Sequence, residues 1–377
     1  MGLIKKLEGR GKRLLIKITT RLVRTEALST DEVLSHRPGR VLVIRQHNQM
    51  GDMLLATPAF RAIKQTFPGT RLGVVTAPIN RGVLLNNPDV DDVFTYVNRN
   101  PLKTVALIRE LRRRRFDMVI VLHTVSFSFT SALMGLLSGA RIRVGSTSGP
   151  FSSPLSTSFY HLELPLPDET ELKSMNETEH NLYPLRALGI GTDDLRPIIV
   201  PAADDERWAE AFLRRHTSPG RRRLVVHPGA GKAENVWAPE NFAGVVNRLR
   251  RTSPIDLCVI EGPRDGDHVA AFGRNVRGGF TRVRGRGIGE VAAVLQRVDL
   301  VLCNDTGIMH VSCAAGANTL AVFGPTDPAR WAPKCSNLTV IRGMDGDLGK
   351  VSVEDVCGRA AGLLGLIDGT ECDLERQ

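Results

Sequence analysis

Short apolar runs that stop at polar, glycine-containing turns, each followed by apolar residues at helical spacing, recur along this chain from about residue 40 to residue 323. A run of four to seven such residues reads as a strand buried on both faces, and the helical stretch after it carries the chain back to begin the next parallel strand. This alternation predicts an α/β fold, a mostly parallel sheet with helices on both faces. Strands are expected at 41–45, 71–76, 92–97, 117–123 and 141–145, the last resembling an edge strand. A second set is expected at 223–227, 255–261, 298–303, 319–323 and 336–341. The helix expected from 52 to about 67 contains Pro58, which implies either a kink or a late first-turn placement. A chain of 377 residues exceeds one ordinary open α/β layer, so two domains are expected, with a hinge around 190–200. Residues 146–176, rich in Ser, Pro, Gly and acids, read as a long loop at an active cleft or between domains.

The charge is uneven. Residues 1–25 carry eight basic side chains and one acid, Glu8, which supplies +7 of the net +10. Leu3, Leu7, Leu14, Ile18 and Leu22 lie among them at helical spacing. The segment is either an amphipathic helix at an anionic membrane surface or a helix packed on the body with a solvated basic face. Nucleic acid is disfavoured, because no stacking aromatics are interleaved with the charges. The segment lacks the continuous apolar region of a signal peptide. No uncharged apolar run reaches the length of a membrane span. The cysteines at 258, 303, 313, 335, 357 and 372 form no C-x-x-C pair, so neither a metal site nor a disulfide framework is expected, and a reducing compartment fits.

Three loops at strand ends hold the candidate chemistry. The first, Gln49-Met50-Gly51-Asp52, follows the first strand. Its glycine lets backbone approach a ligand, and Asp52 is either a helix cap or a base able to take a proton from an attacking hydroxyl. The second, HPGAGKAENVW at 227–237, presents glycines and Lys232 to an anion, although it lacks the spacing of a phosphate-binding GK[ST] loop. Trp237 reads as structural there. The third, Asn304-Asp305-Thr306-Gly307, opens a helix that holds His310 in its first turn. A helix start offers unpaired N–H groups and a positive dipole end, suited to phosphate. Asp305 either caps that helix or accepts from ribose hydroxyls; His310 either donates to a phosphate or fills a polar core position. No GxGxxG follows the first strand, and no G-x-S-x-G or H-E-x-x-H occurs, which argues against dinucleotide, serine-hydrolase and zinc chemistry.

Taken in order, these segments resemble glycosyltransferase family 9, the heptosyltransferase-like glycosyltransferases. The resemblance covers roughly 40 to 345 and rests on VLVIRQHNQMGDMLLATPAFRAIKQTFPGTRLGVVT, NNPDVDDVF, LSGARIRVG, VVHPGAGKAENVWAPENFAGVVNRL, EGPRD and CNDTGIMHVSCAAGANTLAVFGPTDPARWAPKC. It implies a GT-B fold, two Rossmann-like lobes with mostly parallel sheets facing across a cleft. The implied division is a basic N-terminal extension at 1–39, an acceptor-side domain at 40–195, a nucleotide-sugar domain at 196–350, and a C-terminal helix and tail at 351–377. It also implies an inverting transfer of a sugar, commonly a heptose from its ADP form, to a lipopolysaccharide core or lipid-linked glycan, with no cofactor and no divalent metal. The enzyme would then be cytoplasmic and peripheral on the inner face of the cytoplasmic membrane.

Residue by residue, Asp52 occupies the position of the family's proposed general base, with Gln49, Met50 and Gly51 beside it on the acceptor side. Asp305, Gly307 and His310 match the donor motif, Thr306 falls at the N–H cluster near the donor phosphates, and Asp265 falls near the acid that meets the nucleotide ribose. Lys232 is a further donor-side candidate. Asn235 departs from the pattern, standing where many relatives have a basic residue, and LHTVSFSFTSALMG lacks the acidic-glutamine pattern common after its strand. The alternatives are a non-catalytic nucleotide-sugar or glycan-binding protein at a membrane, or a sugar-nucleotide epimerase of similar build.

Overall fold

The computed structural model describes residues 25–46, 49–123, 127–146 and 159–366. The helix expected within 1–25 therefore lies, but for Thr25, outside the described residues, as does the polar tail. Twelve described strands form two six-stranded sheets, and every pairing is parallel. The first sheet contains β1 (Arg40–Ile44), β2 (Arg71–Thr76), β3 (Asp92–Thr95), β4 (Met118–Val121), β5 (Ile142–Gly145) and β6 (Leu162–Glu163), in the order β3-β2-β1-β4-β5-β6. The second contains β7 (Arg222–His227), β8 (Ile255–Glu261), β9 (Thr281–Arg284), β10 (Leu300–Asn304), β11 (Thr319–Phe323) and β12 (Leu338–Arg342), in the order β9-β8-β7-β10-β11-β12. Both sheets thus share one doubly wound order, which reverses between the first and fourth strand of each. Open α/β sheets bind ligands outside the strand ends at that reversal.

Burial explains which strands the sequence announces. Central strands β10 and β11 are buried at every position, so they read as unbroken apolar runs. Edge strand β9, TRVR, buries only Val283 and alternates with arginines, which hides it from an apolar-run criterion. Residues 142–145 are not an edge strand, because β6 adds to β5 through Val144 and Gly145.

The chain groups into two compact units. One comprises the described residues of Met1–Asn48, Pro58–Arg81 and Pro88–Asp194; the other comprises Gln49–Thr57, Gly82–Asn87 and the described residues of Leu195–Gln377. In the first, helices Pro101–Arg114 and Phe129–Leu137 bury Leu107, Leu111, Phe129 and Ala132 against Leu42, Ile44 and Val119 of the sheet. In the second, helices Pro239–Thr252, Gly266–Asn275 and Val353–Leu363 cover the sheet with Phe242, Leu249, Phe272 and Val356. Trp237 lies in this core, edge-on to Phe242 at 5.0 Å, with its indole N–H donating to Val351 O at 3.2 Å. Each fully buried large side chain there contributes about 1.5–3 kcal/mol.

The single helix expected from 52 to about 67 is two, Met50–Leu54 and Thr57–Thr66. Pro58 takes the late first-turn placement. It has no N–H to give Leu54 O, and the Thr57 hydroxyl donates to that carbonyl instead at 2.7 Å. The break separates the short helix from the first unit. Thr57 Oγ1 accepts from Ile198 N at 3.1 Å, and helix Met50–Leu54 packs on helix Gly307–Ala314.

Candidate functional site

The second sheet's reversal lies between β7 and β10, and a buried amide organises the loops there. Asn304 ends an otherwise apolar strand and is fully buried, so its polar atoms must be satisfied internally. Its Nδ2 donates to Pro228 O and Gly229 O, both at 3.2 Å, and its Oδ1 accepts from Trp237 N at 2.9 Å. Both ends of the loop after β7 are thereby fixed to the end of β10.

Asp305 continues the sheet for one more bond, its N–H donating to Val322 O at 3.0 Å. Its carboxylate accepts from Asn235 Nδ2 at 3.1 Å, and Asn235 Oδ1 accepts from the Thr326 hydroxyl at 3.1 Å. Burial pushes the Asp305 carboxyl above its usual range, while hydrogen bonding from Thr326 and the charge of Lys232 pull it back. Asp305 does not cap the following helix. Thr306 does, its Oγ1 accepting from Ile308 N at 3.1 Å. The physical reason is that Asp305 backbone still pairs with β11 and its side chain is taken by Asn235.

Helix Gly307–Ala314 meets the short helix that carries Asp52. Gln49 is that helix's exposed N-cap and makes no side-chain cap bond. Met50 brings its methyl group to Gly307, where an added Cβ would lie 3.6 Å away. Gly51 is closer still: a Cβ there would lie 2.6 Å from His310 Cδ2 and 3.0 Å from Nε2, so no other residue fits without displacing the imidazole. Asp52 and His310 are each 7% exposed. Burial drives the His310 pKa down to about 4 against the upward pull of the Asp52 charge, leaving a neutral ring at neutral pH. Its Nδ1 has no hydrogen-bond partner among the described residues.

The remaining candidates lie on the other side of Asn304. Asp265 accepts from Gly262 N at 2.8 Å, stands 3.9 Å from His227 Nδ1, and crowds Gly229 so closely that a Cβ there would collide with its carboxylate. It therefore joins the turn after β8 to the loop after β7. His227, buried beneath, is pushed down in pKa by burial and pulled up by Asp265. Lys232 is exposed at the loop's rim, with its charge acting on Asp305.

The structure thus links Asp265, the 228–237 loop, Asp305, Thr306, Gly307, His310, Met50, Gly51 and Asp52 through successive contacts. Lys232 reaches them by charge and Gln49 by its place at the helix start. Sequence reasoning missed two supports, Asn304 as the latch of the loop and Thr326 as the partner of Asn235. A signal existed for the first: a polar residue closing an apolar strand is either exposed or bonded, and Asn304 is bonded.

The sequence model of glycosyltransferase family 9 (heptosyltransferase) matches residues 104–359. Lipopolysaccharide heptosyltransferase 3 of Escherichia coli is 24% identical over 303 residues, 76% of this chain and 84% of that protein. Lipopolysaccharide core heptosyltransferase OpsX of Haemophilus influenzae is 21% identical over 301 residues, 78% of this chain and 81% of its own. Among solved structures, a glycosyl transferase family 9 protein from Veillonella parvula superposes with a TM-score of 0.74 at 21% identity, covering 86% of this chain and 97% of that one. The ADP-heptose lipopolysaccharide heptosyltransferase II of E. coli gives 0.71 at 19% identity, covering 86% and 98%. The fold is GT-B, with its two parallel six-stranded sheets.

Proposed function

The chain belongs to glycosyltransferase family 9, and from that premise we propose that it moves a heptose from ADP-heptose to the lipopolysaccharide core or a related cell-envelope glycan, with inversion at the anomeric carbon. The observation that supports this reading is the packing of Gly51 against His310, with the Asp52 charge acting on that same ring. Asp52 is the general base. It takes the proton of the acceptor hydroxyl as that oxygen bonds to the anomeric carbon, and the bond from that carbon to the diphosphate oxygen breaks. ADP leaves with the electron pair. Its growing negative charge is met by the N–H groups at the Thr306–Gly307 helix start and by Lys232, which stabilise the transition state more than the bound donor.

His310 acts as a neutral hydrogen-bonding group beside the reacting centre, since burial keeps it unprotonated. Asp305 and Asp265 hold the nucleoside end of the donor. Asn235 supplies a neutral link to Asp305, so the loop's positive charge near the phosphates rests with Lys232. Gln49, Met50 and Gly51 line the acceptor side. No metal takes part, and the basic segment 1–25 is one of the contacts that bring the enzyme to the inner face of the cytoplasmic membrane.

The test is a panel of ADP-, GDP- and UDP-sugars with deacylated lipopolysaccharide, run with and without a chelator. The expected result is acceptor-dependent release of ADP from ADP-heptose, insensitive to chelation, with the product linkage opposite in configuration to the donor. Donor binding without acceptor-dependent nucleotide release makes this a binding protein. Conversion of the donor without any acceptor makes it an epimerase. Either outcome overturns the proposal.

A further inference from the structure

The first unit carries a second basic feature, unrelated to the site above. Residues 99–115, RNPLKTVALIRELRRRR, hold seven basic side chains and one acid. They form helix Pro101–Arg114, which starts at Asn100, whose side chain accepts from Lys103 N at 3.0 Å. Leu107 and Leu111 turn into the core. The opposite face presents Leu102, Val105, Ala106, Arg109, Arg112 and Arg113, all exposed. At 1.5 Å per residue this stripe runs about 16 Å, apolar in its first half and basic in its second.

The apolar half is unusual. Leu102 is 82% exposed and Val105 50%, and Leu137 at 37% adjoins the stripe where Arg112 Nε donates to Leu137 O at 2.9 Å. The basic half is only partly neutralised. The one acid, Glu110, pairs with Arg113 and Arg114, while Lys103, Arg109, Arg112 and Arg115 add exposed charge. Arg99 and Arg115, at either end of the helix, keep positive φ values of 59° and 52° where glycine would be unstrained, so exposed cations flank the stripe on both sides.

A face that pairs exposed leucine and valine with arginines complements a surface with an anionic outer layer and an apolar layer beneath it. Nucleic acid would use the arginines alone and leave Leu102 and Val105 in water, and the stripe has no aromatic ring on which a base could stack. We propose that the exposed face of helix Pro101–Arg114 docks on an anionic phospholipid bilayer, Leu102 and Val105 entering the headgroup boundary and the arginines pairing with lipid phosphates. The docking is independent of the transfer reaction, and the test uses vesicles free of any glycan.

The full chain is sedimented with vesicles rich in phosphatidylglycerol and with pure phosphatidylcholine vesicles, alongside the variants L102S/V105S and R109Q/R112Q/R113Q. All five positions are exposed, and unchanged thermal melting verifies that each variant is folded. The expected result is binding to the anionic vesicles only, weakened by salt and reduced at least ~10-fold in each variant. Wild-type binding by both variants would place the membrane contact elsewhere and overturn the proposal. Loss in the arginine variant alone, together with a salt-sensitive shift of duplex DNA by the wild type, would make the face a phosphate reader and overturn it as well.

Discussion

At the end of β7 the chain enters a loop that its own sheet holds at several points, through Asn304 to Pro228, Gly229 and Trp237, and through Asn235 to Asp305. Beyond β1, at the equivalent place in the first sheet, comes helix Met50–Leu54, which belongs to the second unit, where Gly51 lies against His310. The strand orders are the same, but the means of positioning differ. The loop after β7 is set by hydrogen bonds to a buried amide. Asp52, the proposed base, is set by shape, through Gly51, where an added Cβ would meet the His310 ring. Hydrogen-bond deletions should therefore cost stability and donor affinity on the first side, and small steric changes should cost rate on the second.

The largest effect is expected at the proposed base. Replacing Asp52 by Asn should lower turnover by roughly 10²–10⁴-fold, the usual worth of a general base, while ADP binding measured by calorimetry stays within a few-fold of wild type. Near-normal turnover would remove Asp52 from the role. A pH experiment probes the same contact. The unfolded chain binds a proton at His310 near its ordinary 6.5, and the folded chain does so only near 4. Stability linked to the neutral ring is therefore full above pH 6.5 and lost as pH falls to about 4, a difference on the order of 3 kcal/mol. Urea unfolding at pH 7 and at pH 4.5 should show a steeper loss in wild type than in His310→Asn.

Gly51→Ala comes next. Its methyl must push the imidazole aside, and a displacement of that size should cut kcat by roughly 100-fold with a smaller change in donor KM. A variant with wild-type kcat would show that the Gly51–His310 contact does not position the base. On the hydrogen-bonded side, Asn304→Ala leaves Trp237 N and two loop carbonyls without their partner, and chemical denaturation should register about 1–3 kcal/mol. Asn235→Ala should be milder, about 1 kcal/mol, with donor KM raised more than kcat is lowered. The reverse split in Asn235→Ala would move that residue from holding the donor to the chemical step.

The same contrast explains what the sequence could reveal. The central strands announce themselves because burial on both faces demands unbroken apolar runs, as in VLVI of β1 and TLAVF of β11. Strand β9 does not, since an edge strand needs only Val283 inside and spends its other positions on arginine and threonine. Asp52, Asp305 and His310 were legible as residues at glycine-marked strand ends. Their grouping came from tertiary contact, which no local pattern encodes. The capping role fell to Thr306 because the competition among Asn304, Asp305 and Thr306 is decided by partners far away in sequence, Pro228, Asn235 and Val322. The two-helix form of 50–66 was recoverable in principle from Thr57-Pro58, where the proline removes a donor and the threonine satisfies the carbonyl it leaves.

The most direct test of the account is a double-mutant cycle between Asp52 and His310, read as kcat with ADP-heptose and deacylated lipopolysaccharide under single-turnover conditions. If the two residues form one reaction site, His310→Asn slows the wild type but has little further effect in the Asp52→Asn background, so the losses are far from additive. Losses that multiply, with His310→Asn costing the same factor in both backgrounds, would contradict it.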